Sequence, residues 1–373
     1  MESEEIEFFI FPIEIDLLML FSASGWNRWN VPNLKRFISS SPLKVAYFGS
    51  DQFSVLSLQK LHNYETQNQS IDLHVITRSI KPTGRKLKTY IDLPIGSYCQ
   101  QHQIKISRAD TSKDILNLLH QNKFDLAIAV SYGKLIPESF LNNCRYGGIN
   151  VHPSLLPRYS GSSPIQYTIL NDDYVSGCTI QTLHPTKFDR GDIILQSEEI
   201  PVHPDEKFVQ LRDRLGEIGG DLLVEVIKKN LYEDPLPISP KYNYSFAPKI
   251  TSNKSEILWN KYTTRNIVRL IDALGKIHTY LPMKVHKNKE YHYELRKVIL
   301  DDILPLNETE KELSLAGQFA LDDDRLVIKT IDGFITVGSL KMQYCTDVDA
   351  SKFITQILKG YKIPPTQFTT KDQ

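Results

Sequence analysis

The sequence has no CxxC pair: its four cysteines, Cys99, Cys144, Cys178 and Cys345, are scattered along 373 residues. That spacing excludes a disulfide framework and a cysteine-based zinc cluster, and it fits a reducing interior compartment. Long hydrophobic runs are missing too. The apolar stretch Phe8–Phe21 is broken by Pro12 and carries Glu14 and Asp16. It falls short of the ~20 apolar residues of a spanning helix, so no membrane insertion is expected. Net charge is also absent, since 44 Lys and Arg offset 44 Asp and Glu. A uniformly basic nucleic-acid binder is thereby excluded, but a local basic surface is not. There is no internal repeat, no low-complexity tract and no GxGxxG; Gly49-Ser50-Asp51 does not support a dinucleotide site. With 24 % charged and 41 % hydrophobic residues the chain is neither disordered nor collagen-like. Its length suits two domains of roughly 150 residues each.

The charges that are present are unevenly placed from the start. Residues 1–18 carry six acids and no Lys or Arg. Residues 19–50 contain no acid but hold Arg28, Lys35, Arg36 and Lys44 among several serines. An acid-free, basic, Ser-rich stretch before the first strand has the character of a mitochondrial presequence. Residues 1–43 are therefore expected to be a leader, with Met19 as a second candidate start.

Strand and helix signals then alternate. Leu43–Phe48, Leu73–Thr77, Asp125–Val130 and Gly148–His152 are short apolar runs separated by helical stretches, which predicts a parallel α/β sheet. Phe208, Leu211, Leu215, Ile218, Leu222 and Val226 fall on one helix face. Beyond that helix, Pro235, Pro237 and Pro240 punctuate the chain. The expected organisation is a catalytic domain over 44–232, a linker over 233–249 and a C-terminal domain over 250–373. The last would hold one helix near 263–274 and several short strands, including Arg325–Thr330 and Phe334–Leu340 joined at Asp332-Gly333.

The chemistry concentrates between Tyr146 and Leu195. Asn150 and His152 stand two apart on a strand, so they leave the same face at its carboxyl end, where open α/β sheets bind ligands. Ser163-Pro164 reads as a helix start with a serine N-cap. A strand over Cys178–His184 leads to a loop holding Asp189. Amide, imidazole and carboxylate thus converge: the amide suits a developing oxyanion and the imidazole a proton relay. No GxSxG elbow is present, which favours direct transfer over a covalent intermediate. On spacing alone, the same side chains serve equally as turn formers or satisfied polar groups. His184 and His203 lack paired acidic or cysteine ligands, so no metal is expected.

The order Asn150-x-His152-x-Ser154-Leu155-Leu156-Pro157-x-Tyr159, then Pro164-Ile165-Gln166, then Asp189, resembles the 10-formyltetrahydrofolate-dependent formyltransferases. Phe48-Gly49-Ser50-Asp51, Val75–Arg78 with Lys81–Arg85, and Phe246–Ile250 with Ile257-Leu258-Trp259 extend the resemblance over about residues 44–360. Departures include Lys187-Phe188, where members more often carry Gly-Leu. The resemblance implies a Rossmann-like α/β domain followed by a smaller β-barrel (OB-like) domain. It implies that Asn150, His152 and Asp189 are catalytic and that Ser154, Leu155, Leu156 and Pro157 contribute to the folate pocket. The implied reaction moves a formyl group from 10-formyltetrahydrofolate to the α-amine of initiator methionyl-tRNA; the basic leader sets the expected place as the mitochondrial matrix, and a monomer is expected. Rival readings are a relative acting on a small amine or water, and an inactive RNA-binding module.

Two basic regions fit an RNA partner. No acid lies between Asp72 and Asp92, while Arg78, Lys81, Arg85, Lys86 and Lys88 supply five positive charges on a loop marked by Pro82 and Gly84. By resemblance this loop engages the acceptor stem. Residues 241–297 add 12 Lys and Arg against 4 Asp and Glu, interleaved with Tyr280, Tyr291 and Tyr293.

Overall fold

The computed structural model describes residues 41–83, 88–287, 290–359 and 365–371. Residues 1–40 of the expected leader, together with Arg85 and Lys86, lie outside them. Strands β1 (Leu43–Gly49), β2 (Ile71–Thr77), β3 (Lys105–Arg108), β4 (Leu126–Val130), β5 (Gly148–His152), β6 (Thr179–Thr182) and β7 (Ile193–Gln196) form one sheet. Its order is β7-β6-β5-β4-β1-β2-β3. β1 to β5 run parallel, and β6 and β7 add antiparallel. The reversal between β1 and β4 is a topological switch point, whose crevice lies at the carboxyl ends of those strands. β4 (LAIAV) is buried along its whole length, as a parallel strand covered on both faces must be.

Alternate residues feed two cores. The helices between the strands are α1 (Gln52–Asn68), α2 (Pro94–Gln101), α3 (Ser112–Asn117), α4 (Glu138–Asn143), α5 (Pro164–Leu170) and α6 (Phe208–Lys228). Val45, Tyr47, Ile128, Val130, Ile149 and Val151 pack with α1 and α6, while Ala46, Phe48, Ala127 and Ala129 pack with Phe124 and Phe140. The predicted apolar face of α6 buries Leu211, Leu215 and Val226. Gly219 lets this helix sit on β5, because a Cβ there would stand 2.9 Å from Val151 Cγ1. Helix α5 (Pro164–Leu170) begins as expected with Pro164 at its first turn. Ser163, however, does not cap it by side chain; its Oγ accepts from Ile250 N instead, at 3.3 Å. The serine is recruited by the segment following the prolines. That segment is held along its length: Ile238 N donates to Ile193 O at 2.9 Å and Ala247 N to Ser160 O at 2.7 Å.

Helix α7 (Thr264–Leu274) opens on a Thr263–Asn266 capping box and ends at Gly275. It leads into β8 (Ile277–Lys287), β9 (Glu290–Leu306), β10 (Phe319–Asp322), β11 (Arg325–Lys329), β12 (Phe334–Met342) and β13 (Val348–Asp349). These form an antiparallel sheet in the order β8-β9-β12-β11-β10, with β13 on β12. The hairpin at Asp332-Gly333 is where expected. β8 and β9, at 11 and 17 residues, are longer than the short strands expected, because their polar residues hide the alternation. Residues 366–369 join the outer strands: Phe319 N donates to Thr366 O, while Tyr280 N donates to Thr369 O and Thr369 N returns to Tyr280 O. The sheet thereby closes into the expected barrel around Trp259, Leu281, Leu326, Ile335, Phe353 and Phe368.

Besides His152, each sheet buries one further histidine, His74 on β2 and His278 on β8. Burial, with Lys105 near His74 and Lys297 near His278, pushes both down to about 4. A histidine unfolded near ~6.5 and depressed in the folded state stabilises above that pH and loses its contribution as pH falls through its folded value. The free energy of unfolding should therefore drop between pH 6.5 and 4, by on the order of a few kcal/mol for the pair. His74→Gln and His278→Gln should each flatten that slope in urea titrations; an unaltered slope would refute the assignment.

Candidate active site

β5 carries Asn150 and His152 to its carboxyl end with Val151 turned into the core, as the two-residue spacing requires. The loop after β6 returns Asp189 to them. His152 Nδ1 lies 3.3 Å from Asp189 Oδ1, and its Nε2 lies 3.0 Å from the carbonyl oxygen of Tyr159. An imidazole with both N–H bonds donates to each oxygen, whereas a neutral ring donates to one. Asp189 is held in turn, accepting from Gly161 N at 2.7 Å and from Gln181 Nε2 at 3.3 Å. Asp189 and Tyr159, the residues that flank the histidine ring, both have left-handed backbones, with φ of 51° and 58°. Gly161 is also left-handed, at φ 122°, and has no room for a side chain, since a Cβ would stand 2.5 Å from Ala247 O.

Asn150, His152 and Asp189 face one cavity of about 510 Å³, within the ~300–1,000 Å³ usual for small-molecule sites. The Asn150 carboxamide has no hydrogen-bond partner among the described residues and faces the cavity free to donate. Ser131, Tyr132, Lys134 and Ile136 form the wall beyond β4, and Lys187 and Phe188 the wall beyond β6. Tyr132 is fixed by donation to Ala109 O at 2.7 Å, and burial pushes its hydroxyl up to about 12. Asp51 caps α1 through Ser54 N; burial raises its carboxyl above the usual range, opposed by hydrogen bonds to Ser54 and Ser131 and by Arg212.

The other expected site residues are placed differently. Ser154, Leu155 and Leu156 are buried, and with Pro157 they stand behind the cavity rather than among its walls. Their turn is tied to β6: Thr179 Oγ1 donates to Ser154 O at 2.7 Å and accepts from Leu156 N at 3.0 Å. Of the basic loop, Lys81 and Lys88 are exposed beside a short ladder of Pro82–Thr83 with Thr89–Tyr90. Arg78 turns inward, donating through Nε to Ser50 Oγ at 3.3 Å. On the barrel, Arg296 Cζ lies 5.3 Å from the centre of the exposed Tyr344 ring, and Tyr293 is also exposed. Among the described residues no group of three or more His, Cys, Asp or Glu could hold a metal.

Sequence reading did not place Gln181, Gly161 or Phe246 at the site, and it used Phe246 only as part of the Phe246–Ile250 match. Gln181 was within reach, since it stands directly opposite Asn150 in the β5–β6 ladder. Gly161 and Phe246 meet only through the tertiary bridge between Ser160 and Phe246, which leaves no local trace.

Comparison with known proteins points the same way. The formyl transferase family profile matches residues 43–227. The chain is 28 % identical over 357 residues to the mitochondrial methionyl-tRNA formyltransferase of Saccharomyces cerevisiae, covering 83 % of this chain and 89 % of that protein. It is 32 % identical over 317 residues to the mitochondrial methionyl-tRNA formyltransferase of Mus musculus, covering 81 % and 75 %. Among solved structures, the N-formyltransferase from Helicobacter canadensis, in complex with folinic acid and dTDP-3-aminofucose, shares the fold. Its TM-score is 0.53 at 17 % identity, over 79 % of this chain and 98 % of that one.

Proposed function

The chain belongs to the methionyl-tRNA formyltransferase family, and from that premise we propose that it transfers the formyl group of 10-formyltetrahydrofolate to the α-amino group of initiator methionyl-tRNA in the mitochondrial matrix. The observation that carries this reading is the Asn150–His152–Asp189 arrangement around one cavity. The amine nitrogen attacks the formyl carbon, a C–N bond forms, and the carbonyl oxygen gains negative charge. Asn150, whose amide is free to donate, stabilises that oxyanion. The carbon–N10 bond of the folate then breaks, and the proton lost by the amine ends on N10. His152 starts as the neutral ring, takes the amine's proton on its unprotonated nitrogen and returns it to N10; the imidazolium formed in between is stabilised by Asp189 Oδ1 and Tyr159 O. A free α-amine titrates near ~7.7–8.0, and esterification of its carboxyl lowers this, so the neutral nucleophile is available near pH 7.

Residues 44–232 would perform the transfer and residues 250–373 would hold the tRNA, with Lys81 and Lys88 adding phosphate contacts from the first part. Phosphate contacts position the acceptor and make binding salt-dependent. The test is formylation of charged initiator tRNA with 10-formyltetrahydrofolate. Lys81→Ala/Lys88→Ala should raise KM for tRNA severalfold and reduce its salt dependence, with KM for the folate unchanged. Formylation of a free small amine but not of methionyl-tRNA would overturn the reading.

A further inference from the structure

Two large apolar rings stand in water beside the catalytic carboxylate. Phe188, next in the chain to Asp189, is 56 % exposed, and Phe246 is 59 % exposed; both line the cavity. They flank one hydrogen bond, that from Gly161 N to Asp189 Oδ2. Phe188 adjoins its acceptor, and Phe246 packs against its donor, with Cε2 2.9 Å from where a Gly161 Cβ would stand. Phe246 is not exposed through looseness. Its backbone bridges Ser160, and the next residue, the fully buried Ala247, donates to Ser160 O and accepts from Ser163 N. With its backbone held, Phe246 joins Phe188 and the exposed Tyr244 in an aromatic patch at the cavity mouth, and such a patch marks a contact surface. Cations accompany it: Lys187 is exposed on the same wall, and Arg190 Cζ lies 4.2 Å from the centre of the Tyr244 ring, two residues before Phe246. Neither pairs with a carboxylate among the described residues.

We propose that Phe188 and Phe246 form a stacking site for a purine base, the adenine of the tRNA's terminal nucleotide, with Lys187 and Arg190 on its phosphate. This deepens the formyl-transfer reading and rests on it. Asn150 lies on β5 between β4 and β6, so two substrates meeting over it must approach from the two sides. The β4 side offers the buried apolar walls of Tyr132, Ile136 and Leu141, suited to a flat donor. The β6 side offers the exposed rings. Only a few bonds separate the reacting amine from the ribose that carries the adenine, so a base whose amine reaches Asn150 comes to rest at this mouth. Aromatic faces bind bases by stacking, and basic neighbours hold the backbone.

The test compares wild type, Phe188→Ala and Phe246→Ala on charged tRNA ending in adenosine and on the same tRNA ending in a base-free ribose. Wild type should prefer the adenosine terminus roughly five- to a hundredfold in kcat/KM, the span of one stacked base. Each alanine variant should lose much of that preference, Phe→Trp at either position should restore it, and KM for the folate should not change. Equal discrimination by wild type and variants, or an effect on folate KM instead, would overturn the stacking site and leave the formyl-transfer reading standing. Failure of the wild type to formylate either tRNA would overturn the formyl-transfer reading itself.

Discussion

Replacing Asn150 by alanine should lower kcat by about a hundred- to a thousandfold, with little change in KM for either substrate. The expectation follows from where the amide stands. It is half-buried on β5, it has no hydrogen-bond partner among the described residues, and it faces the cavity shared with His152 and Asp189. A donor that makes no bond in the resting protein gains one when charge appears on the formyl oxygen, so its loss falls on the transition state and hardly on binding. Stability should not suffer, because no buried partner is abandoned. The checks are steady-state formylation of methionyl-tRNA and a thermal melt of the same preparation. A kcat within about fivefold of wild type would remove Asn150 from the mechanism.

The largest stability effect should come from Arg269, far from the chemistry. Its side chain is 2 % exposed, on α7 of the barrel half. It donates to the carbonyls of Ile169, Pro204 and Glu206 in the α/β half, and pairs with Asp172 at 3.2 Å and Asp272 at 3.3 Å. Arg269→Leu leaves those carbonyls without their donor. It also leaves Asp272, whose carboxyl burial already raises above the usual range, without its nearest cation. Breaking such a buried pair from one side costs about 3–5 kcal/mol. In a protein of this size that lowers the melting temperature by about 4–6 °C. Adding Asp272→Asn should recover part of the loss, because the stranded charge is then gone. A single variant melting within about a degree of wild type would contradict this account of the joint. Arg265, bidentate on the half-exposed Asp172, should matter less, because water screens that pair.

These two residues also mark what the sequence could and could not disclose. Asn150 was legible because a strand alternates: its neighbour Val151 had to be core, and its partner two places on had to share its face. The parallel sheet was legible for the same reason, since runs such as LAIAV fit only a strand covered on both sides. Arg269 was not legible. It sits on a helix whose pattern reads as amphipathic, and only the meeting of α7 with the carbonyls of distant loops buries it. The same limit governs the cavity. Ser154 to Pro157 adjoin His152 in sequence, yet the turn folds them behind the cavity, while Phe246, nearly 100 residues along, comes to the mouth. Arg78 resembled its basic neighbours in composition, but its hydrogen bond to Ser50 sets it apart.

The pairing of residues 366–369 has a consequence for how the protein is made. Thr279 Oγ1 donates to Thr369 O across 90 residues, and the same segment meets Gly317 and Phe319 on the opposite strand. The seven strands of the α/β sheet are all synthesised by residue 196, so that half can assemble while translation continues. The barrel half cannot finish until its last stretch has left the ribosome. Until then β8 and β10 present two open edges of the kind that recruit other chains. A stop codon just before residue 366 would spare every residue lining the cavity, yet it would leave the barrel sheet with both of those edges open.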